Sequence, residues 1–379
     1  MVDQIALISL LKGGGAPAPL HWNALLDQAV REGVFYPLYR ALDEGRILIP
    51  DEFRDRFRQT YYLNLSRGAE FSSAVERVLD RIESSGTSVL LFKGPSVDRL
   101  IYDGFFRPRL DLDICVMEEH AAVLEKALAA LGYAPQTRDK DYPLPEYRNS
   151  RLFTSSECPA AVHVHSHLFN NMFLSVDGAW SIDMGKVWEE TESFGSCRHV
   201  RVLKPELNIV YLCEHGLKHD FDQLIFLYEI ERLVSRYGGD FDWEKLTALA
   251  RAFGLSQIVY HGLYLADTLL SAGIPPRILA DLRPARLTAG EKMFIRDTLA
   301  GELAAIEAAI SKLGPAPGGG VPDTEALQRL SEELGALSRQ EAEGVGLPAK
   351  QIADVAGLVV AADSFVKLAQ RQAALARML

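Results

Sequence analysis

A short apolar segment followed at once by glycine and proline is the feature that most constrains the fold of this chain. Residues 88–92 (SVLLF) have the length and composition of a buried strand. Lys93-Gly94-Pro95 ends that strand, and proline suits the first turn of a helix. A second apolar strand is expected at 111–117 (DLDICVM), followed by a helix at 118–131 that ends at Gly132. The order strand, helix, strand, helix predicts a layered α/β unit.

Helical patterns flank this unit on both sides. Apolar residues recur at helical spacing over 51–84, and the pattern becomes helical again from Pro205 onward. Residues 151–154 and 161–168 are predicted as further strands, separated by a turn at Cys158-Pro159. The expected division is a helical region at 1–85, an α/β core at 86–200, a helical domain at 201–313, a Gly/Pro linker at 314–322 and a helical segment at 323–379.

Composition excludes several classes of protein. The 379 residues include 40 Lys and Arg against 51 Asp and Glu, a net charge of -11. So acidic a chain argues against nucleic acid as a partner, because phosphate neutralisation needs a basic surface. No apolar run is long enough to span a bilayer, so no membrane association is expected. The four cysteines are widely spaced and form no CxxC pair, which favours a reducing, cytoplasmic location.

Two aspartates open the second predicted strand. Because side chains alternate along a strand, Asp111 and Asp113 project from the same face. Two carboxylates about 7 Å apart along a strand repel each other unless they are solvated or a cation lies between them. For an isolated Asp-x-Asp pair, two solvated acids are the simpler interpretation.

Three further features favour a ligand at this acid pair. Gly94 follows the first strand, where a glycine permits close approach of the backbone to a ligand. The helix that begins near Ser96 presents free N–H groups and the positive end of its dipole. Three cations, Lys93, Arg107 and Arg109, lie close by in the sequence. This combination suits a nucleoside triphosphate with its divalent metal.

The stretch KGPSVDRLIYDGFFRPRLDLDICV resembles the signature of the nucleotidyltransferase superfamily. It is more similar still to a bacterial branch of uncharacterised nucleotidyltransferases. The matching positions are Lys93, Gly94, Tyr102, Arg107, Pro108, Asp111 and Asp113. Downstream, VHVHSHL at 162–168 resembles a strand of that branch, and 203–234 resembles its helical region. The resemblance extends over roughly 85–255 and keeps the order of these motifs.

The resemblance implies both a fold and a reaction. The fold is an α/β (α+β) core with a mixed sheet, N-terminal helices and a C-terminal helical domain that closes the cleft. In the implied reaction, an acceptor hydroxyl or similar nucleophile attacks the α-phosphorus of a nucleoside triphosphate such as ATP. Pyrophosphate leaves and a nucleoside monophosphate stays on the acceptor, which is an unidentified small molecule or protein.

The resemblance also implies roles for individual residues. Asp111 and Asp113 would hold one or two Mg²⁺ or Mn²⁺ ions and would be catalytic. Gly94 and Ser96 would meet the β- and γ-phosphates. The residues expected to act as electrostatic partners of the nucleotide are Lys93, Arg107, Arg109 and Lys218.

The expected third carboxylate of the metal site is missing from the later strand. His163 stands where the resemblance places that acid, and His165 aligns with a histidine of the branch. With His167 they recur at i, i+2 and i+4, so all three share one strand face. His163 is therefore a candidate catalytic residue and, with His165, a candidate metal ligand. Asp177 and Asp183 are alternative acids if this alignment is displaced.

Three other interpretations stay open. Imidazoles beside the acid pair suit Zn²⁺, Mn²⁺ or Fe²⁺ better than Mg²⁺, so a His/Asp metallohydrolase is one alternative. A binding or regulatory protein that keeps the fold without catalysis is a second, favoured by the missing acid. The plain alternative for the strand is solvent-facing imidazoles that bind nothing. For His215 and His219, at i and i+4 on a helix, a partly packed surface pair is the simpler interpretation.

Overall fold

The structure, a computed structural model, shows a mixed α/β fold. It describes residues 2–13, 21–102, 111–136, 150–169, 182–219 and 221–284. Several features expected from the sequence lie outside these ranges: Arg107, Arg109, Asp177, the 314–322 linker and the 323–379 segment.

In the part of the chain that the structure describes, four helices precede the sheet: α1 (Val2–Leu11), α2 (Trp22–Arg31), α3 (Phe35–Asp43) and α4 (Asp51–Ser85). The long helix α4 begins at Asp51, as its apolar spacing predicts, and ends one residue beyond the predicted 84. Its buried positions include Phe71, Val75, Val78 and Ile82, which recur every three or four residues along one stripe. The helix ends at Gly86, whose φ of 71° lies in the left-handed region that glycine adopts without strain.

A seven-stranded mixed sheet forms the centre of the described structure. Its strands are β1 (Val89–Leu91), β2 (Asp111–Val116), β3 (Ala134–Pro135), β4 (Ser150–Ser155), β5 (Cys158–His165), β6 (Thr191–Ser193) and β7 (Val200–Leu203). Their order is β3-β4-β5-β2-β1-β7-β6. Strand β2 is central, antiparallel to β1 and parallel to β5.

The expected turn at Cys158-Pro159 is wrong, because both residues belong to β5 and the turn lies at 156–157. Proline is tolerated there for a structural reason. Pro159 precedes Ala161, where the pairing of β5 with β2 begins, so its missing N–H falls at the start of the strand.

Within the described ranges, eight further α-helices surround the sheet. They are α5 (Gly94–Ile101), α6 (Glu118–Ala129), α7 (Met184–Glu189), α8 (Pro205–Lys218), α9 (Leu224–Tyr237), α10 (Trp243–Ala252), α11 (Ser256–Leu270) and α12 (Pro276–Leu282). Among the described residues, no helix combines the length and apolar character that crossing a membrane requires.

The two faces of the sheet pack against different helical layers. Leu112 and Ile114 of β2 share a core with α4 and α6. Cys115 points the opposite way and belongs to a second core that contains residues of α1–α3 and α8–α12. Because side chains alternate along β2, Asp113 lies on the same face as Cys115. The acid pair therefore faces the layer that contains α8.

Candidate functional site

The turn after β1 brings Lys93 to the acid pair. Lys93 has a φ of 55° and Gly94 a φ of 36°, both in the left-handed region. This conformation costs a residue other than glycine free energy, and such strain is concentrated at functional sites. The turn directs the Lys93 ammonium to within 3.2 Å of Asp113 Oδ1. A cation from the turn after β1 thus lies against a carboxylate of β2.

Asp113 is the centre of the described site, and its side chain is only 8% exposed. Three groups converge on Oδ1: Lys93 Nζ at 3.2 Å, His165 Nε2 at 2.9 Å and His163 Nδ1 at 3.6 Å. Burial alone would raise the pKa of Asp113. The Lys93 ammonium and the two imidazoles outweigh it, so this pKa lies well below its ordinary value. Asp113 is therefore an anion over the whole physiological pH range.

The two histidines reach Asp113 because of the register between β2 and β5. In this parallel pair His163 stands directly beside Asp113, and His165 stands beside Cys115. Burial lowers the pKa of His165 to about 4, despite the opposing charge of Asp113. The ring is therefore neutral at pH 7, and Nε2–H donates to the carboxylate. His165 Nδ1 is sealed from solvent and has no hydrogen-bond partner among the described residues.

His167 does not join this group. Strand β5 ends at His165, so the alternation that would place His167 on the same face is interrupted. Its ring is buried, with Nδ1 2.8 Å from the Phe169 carbonyl oxygen and Nε2 3.1 Å from that of Ile182. These backbone contacts give His167 a structural role between two chain segments.

The donor set fits a divalent cation. Asp113, His163 and His165 each offer a ligand atom, and these atoms lie within 4.8 Å of one another. One carboxylate and two imidazoles are typical ligands of Zn²⁺, Mn²⁺ or Fe²⁺. Asp111 occupies the exposed first position of β2, on the same face as Asp113. A second carboxylate there adds the oxygen donors that Mg²⁺ and Mn²⁺ prefer.

The other predicted residues are placed as follows. Gly94 is the first residue of α5, and the Ser96 hydroxyl donates to the Lys93 carbonyl oxygen at 2.7 Å. Lys218 is the last residue of α8. Asp183, the alternative third acid, accepts a hydrogen bond from Gly185 N at 2.8 Å and caps α7.

Helix α8 lies against the site, and its contact residues were not predicted. The buried ring of Tyr211 lies 5.4 Å from that of Phe92, which in turn lies 5.1 Å from the His165 ring. His215, on the same helix face, stacks 5.9 Å from Tyr211 and packs 4.8 Å from His219. These two histidines therefore belong to a cluster of aromatic rings.

A sequence signal for this contact was present but ambiguous. In PELNIVYLCEHGLK, Glu214 follows a long apolar run. At helical spacing it shares one face with Tyr211, His215 and Lys218. Only tertiary packing shows that this face meets the Asp113 region. The sequence interpretation assigned Lys218 a role and missed Tyr211 and Glu214.

Two solved structures show distant similarity. That of ANT(2")-Ia in complex with adenylyl-2"-tobramycin is 15% identical, covers 48% of this chain and 95% of its own, and has a TM-score of 0.34. That of JHP933 from Helicobacter pylori is 14% identical, covers 64% and 97%, and has a TM-score of 0.29. Scores this low add no argument about fold or function. No curated protein matches the chain.

The match to a protein family is more extensive. The profile described as Uncharacterised nucleotidyltransferase matches residues 18–271. This range runs from before α2 to the end of α11 and includes the whole described site. The chain therefore belongs to the family of uncharacterised nucleotidyltransferases.

Proposed function

We propose that this protein transfers a nucleoside monophosphate from a nucleoside triphosphate to an acceptor and releases pyrophosphate. Family membership supports nucleotidyl transfer in general. The observation that carries the specific proposal is the convergence of Lys93, His163 and His165 on Asp113, on the strand face shared with Asp111. Such a site can hold a cation beside a polyphosphate.

Asp111 and Asp113 would hold the divalent metal, with His163 in place of a third carboxylate and His165 as a further ligand. Bound there, Mg²⁺ or Mn²⁺ would supply Lewis acidity at the phosphate oxygens, and Zn²⁺ is the alternative ion for a histidine-rich site. Residues of the chain already favour cation binding at this position. The very low pKa of Asp113 keeps the carboxylate ionised, and the Lys93 ammonium provides its counter-charge.

Backbone and cationic groups would hold the triphosphate. The Gly94 N–H, at the first position of α5, would meet the β- and γ-phosphates, with Ser96 beside it. The free N–H groups expected near Ser96 are not found, because Pro95 has none and those of Ser96 and Val97 donate to the Lys93 carbonyl oxygen. The charges assigned to phosphate neutralisation are those of Lys93, Arg107, Arg109 and Lys218. In this scheme the Lys93 ammonium would leave Asp113 and pair with a phosphate oxygen when nucleotide and metal bind. The helices around α8 would then close the cleft over the α/β core.

The test is a transfer assay with the full chain. The four nucleoside triphosphates, labelled at the α-phosphorus, are incubated with Mg²⁺ or Mn²⁺ and a panel of small-molecule and protein acceptors. Label on an acceptor together with pyrophosphate release is the expected result. Binding of ATP·Mg without pyrophosphate release would favour a non-catalytic binding protein, and absence of both would reject the proposal.

A His/Asp metallohydrolase is the second candidate, and one observation favours it. Two of the three ligand atoms grouped around Asp113 are imidazole nitrogens, which Mg²⁺ binds poorly. Metal analysis of the purified protein separates the candidates. Stoichiometric zinc or iron without triphosphate binding would support hydrolysis, whereas triphosphate binding that requires Mg²⁺ or Mn²⁺ would support transfer.

The remaining assignments are also proposals. The partners would be a nucleoside triphosphate and a small-molecule or protein acceptor, and the acidic chain disfavours nucleic acid in that role. All four cysteines are free thiols, which supports a reducing, cytoplasmic location.

A further inference from the structure

Helix α8 contains a buried acid that local structure does not explain. Glu214 is 3% exposed, and its Oε1 atom is sealed from solvent without a hydrogen-bond partner among the described residues. Leaving a buried polar group unsatisfied costs free energy, and native structures rarely do so without a functional reason. A neutral residue of similar size would avoid this cost. The buried carboxyl group of Glu214 therefore needs a functional explanation.

Its placement links Glu214 to the nucleotide site. Glu214 is on the helix face that contains Tyr211, three residues earlier, and Lys218, four residues later. Tyr211 contacts Phe92, the last residue before Lys93 and a neighbour of the His165 ring. This face of α8 is therefore the one that lies against the end of β1.

The charges around Glu214 are those assigned to phosphate binding. Burial raises the pKa of Glu214 to about 7, although the charges of Lys218 and Lys93 act in the opposite direction. Two further titratable groups lie on the same helix face: burial raises the pKa of Tyr211 and lowers that of His215. A carboxyl group that is half ionised near neutral pH is suited to accept and release a proton.

The chain also lacks an acid where one is expected. Beside Asp113 on β5, the position of the third carboxylate is occupied by His163. The α8 face that contains Glu214 meets the end of β1 through Tyr211, so this acid belongs to the helical layer beside the site and not to the sheet. The sheet side of the site thus has an imidazole where an acid is expected, and the helical side contains a buried carboxyl group.

We infer that Glu214 is the general base of the proposed transfer reaction. The Glu214 carboxylate takes the proton of the acceptor hydroxyl, directly or through one water, while the acceptor oxygen forms a bond to the α-phosphorus. The bond between the α-phosphorus and the oxygen that bridges it to the β-phosphorus breaks, and that electron pair leaves with pyrophosphate. Glu214 then releases its proton to solvent. This inference rests on the proposed function and names one residue within it.

The experiment compares the full-length wild-type chain with Glu214→Gln, Glu206→Gln and Asp113→Asn. Glu206 is the matched control, because it is a buried glutamate in the first turn of the same helix. The probe is α-labelled ATP with Mg²⁺, with water and the acceptor panel as nucleophiles. The readouts are kcat, KM for ATP and the pH dependence of the rate.

The expected result is a fall in kcat of about 100-fold or more for Glu214→Gln, with KM for ATP unchanged. The wild-type rate should rise with pH up to about pH 7, because only the ionised carboxylate accepts a proton, and Glu214→Gln should lose this rise. Glu206→Gln should behave as wild type. If Glu214→Gln does not fold, Glu214→Asp takes its place, since it keeps the carboxylate and should keep the rise with pH.

Two outcomes would overturn the inference, and they are distinguishable. If the Glu214→Gln rate is within about threefold of wild type while Asp113→Asn is inactive, Glu214 is not the general base and the proposed function still stands. The same holds if Glu214→Asp loses the rise with pH. Absence of turnover in the wild-type chain with every acceptor rejects the proposed function and the inference together.

Discussion

Asp113 and His163 occupy directly paired positions of two neighbouring parallel strands, with 3.6 Å between Oδ1 and Nδ1. The pairing fixes the side chain of one beside that of the other on a single sheet face. Where the resemblance to nucleotidyltransferases predicts a carboxylate, the chain therefore places an imidazole in contact with the buried acid. A carboxylate at position 163 would add one negative charge beside Asp113.

Replacing either aspartate should abolish most of the transfer activity. Asp113→Asn and Asp111→Asn are each expected to lower kcat by about 100-fold or more, because stabilisation of charge is usually the largest catalytic contribution. The measurement is pyrophosphate release under saturating ATP·Mg. Asp242→Asn is the control, since Asp242 caps α10 by accepting from Lys245 N and asparagine caps a helix equally well. Undiminished turnover in both site variants would remove the metal mechanism.

Restoring a carboxylate at position 163 should increase affinity for Mg²⁺. In His163→Asp the new acid would stand beside Asp113, and a third carboxylate strengthens binding of a hard cation, here by about tenfold. Calorimetric titration with Mg²⁺ measures this, and the transfer assay shows whether the rate also rises. His163→Asn, which is neutral, serves as control. Equal Mg²⁺ affinity in both variants would mean that position 163 is not a metal ligand.

Local sequence pattern was sufficient for much of the fold. The ends of α4, β1 and β2 lie within one residue of the predicted ones, because apolar spacing and the Gly86 and Gly94 breaks depend only on neighbours in the chain. Alternation along a strand predicts that His163 and His165 share a face, but only the folded sheet shows that His163 pairs with Asp113.

Other features depend on contacts distant in sequence and could not be predicted. The interruption of β5 after His165 separates His167 from the face on which simple alternation places it. The positive φ of Lys93 depends on the turn being held by the sheet. The burial of Glu214 against the site requires α8 to pack over β1, which no local pattern specifies.

Glu214 should also make stability depend on pH in a defined direction. Its folded-state pKa of about 7 exceeds the ordinary 4.5, so the folded protein binds the additional proton between these values. Stability is therefore lost as pH rises through this window, by about 3 kcal/mol in total. Glu214→Gln should not show this loss, so its stability relative to wild type should increase between pH 5 and pH 8. Urea unfolding at both pH values measures the difference, and a constant difference would contradict the assignment.

Close packing of α8 against α11 should make Gly262 intolerant of any side chain. A Cβ atom there would lie 2.5 Å from Cys213 Sγ, 2.8 Å from Cys213 Cβ and 3.2 Å from Cys213 Cα. Because the last contact is with backbone, the helices must separate, and Gly262→Ala should destabilise the protein by about 1–3 kcal/mol. Cys213 directly precedes Glu214, so the same displacement should lower kcat as well. Gly239→Ala is the control, since nothing lies within 4 Å of its added Cβ. Equal urea midpoints for the two variants would show that α8 and α11 are not held this closely.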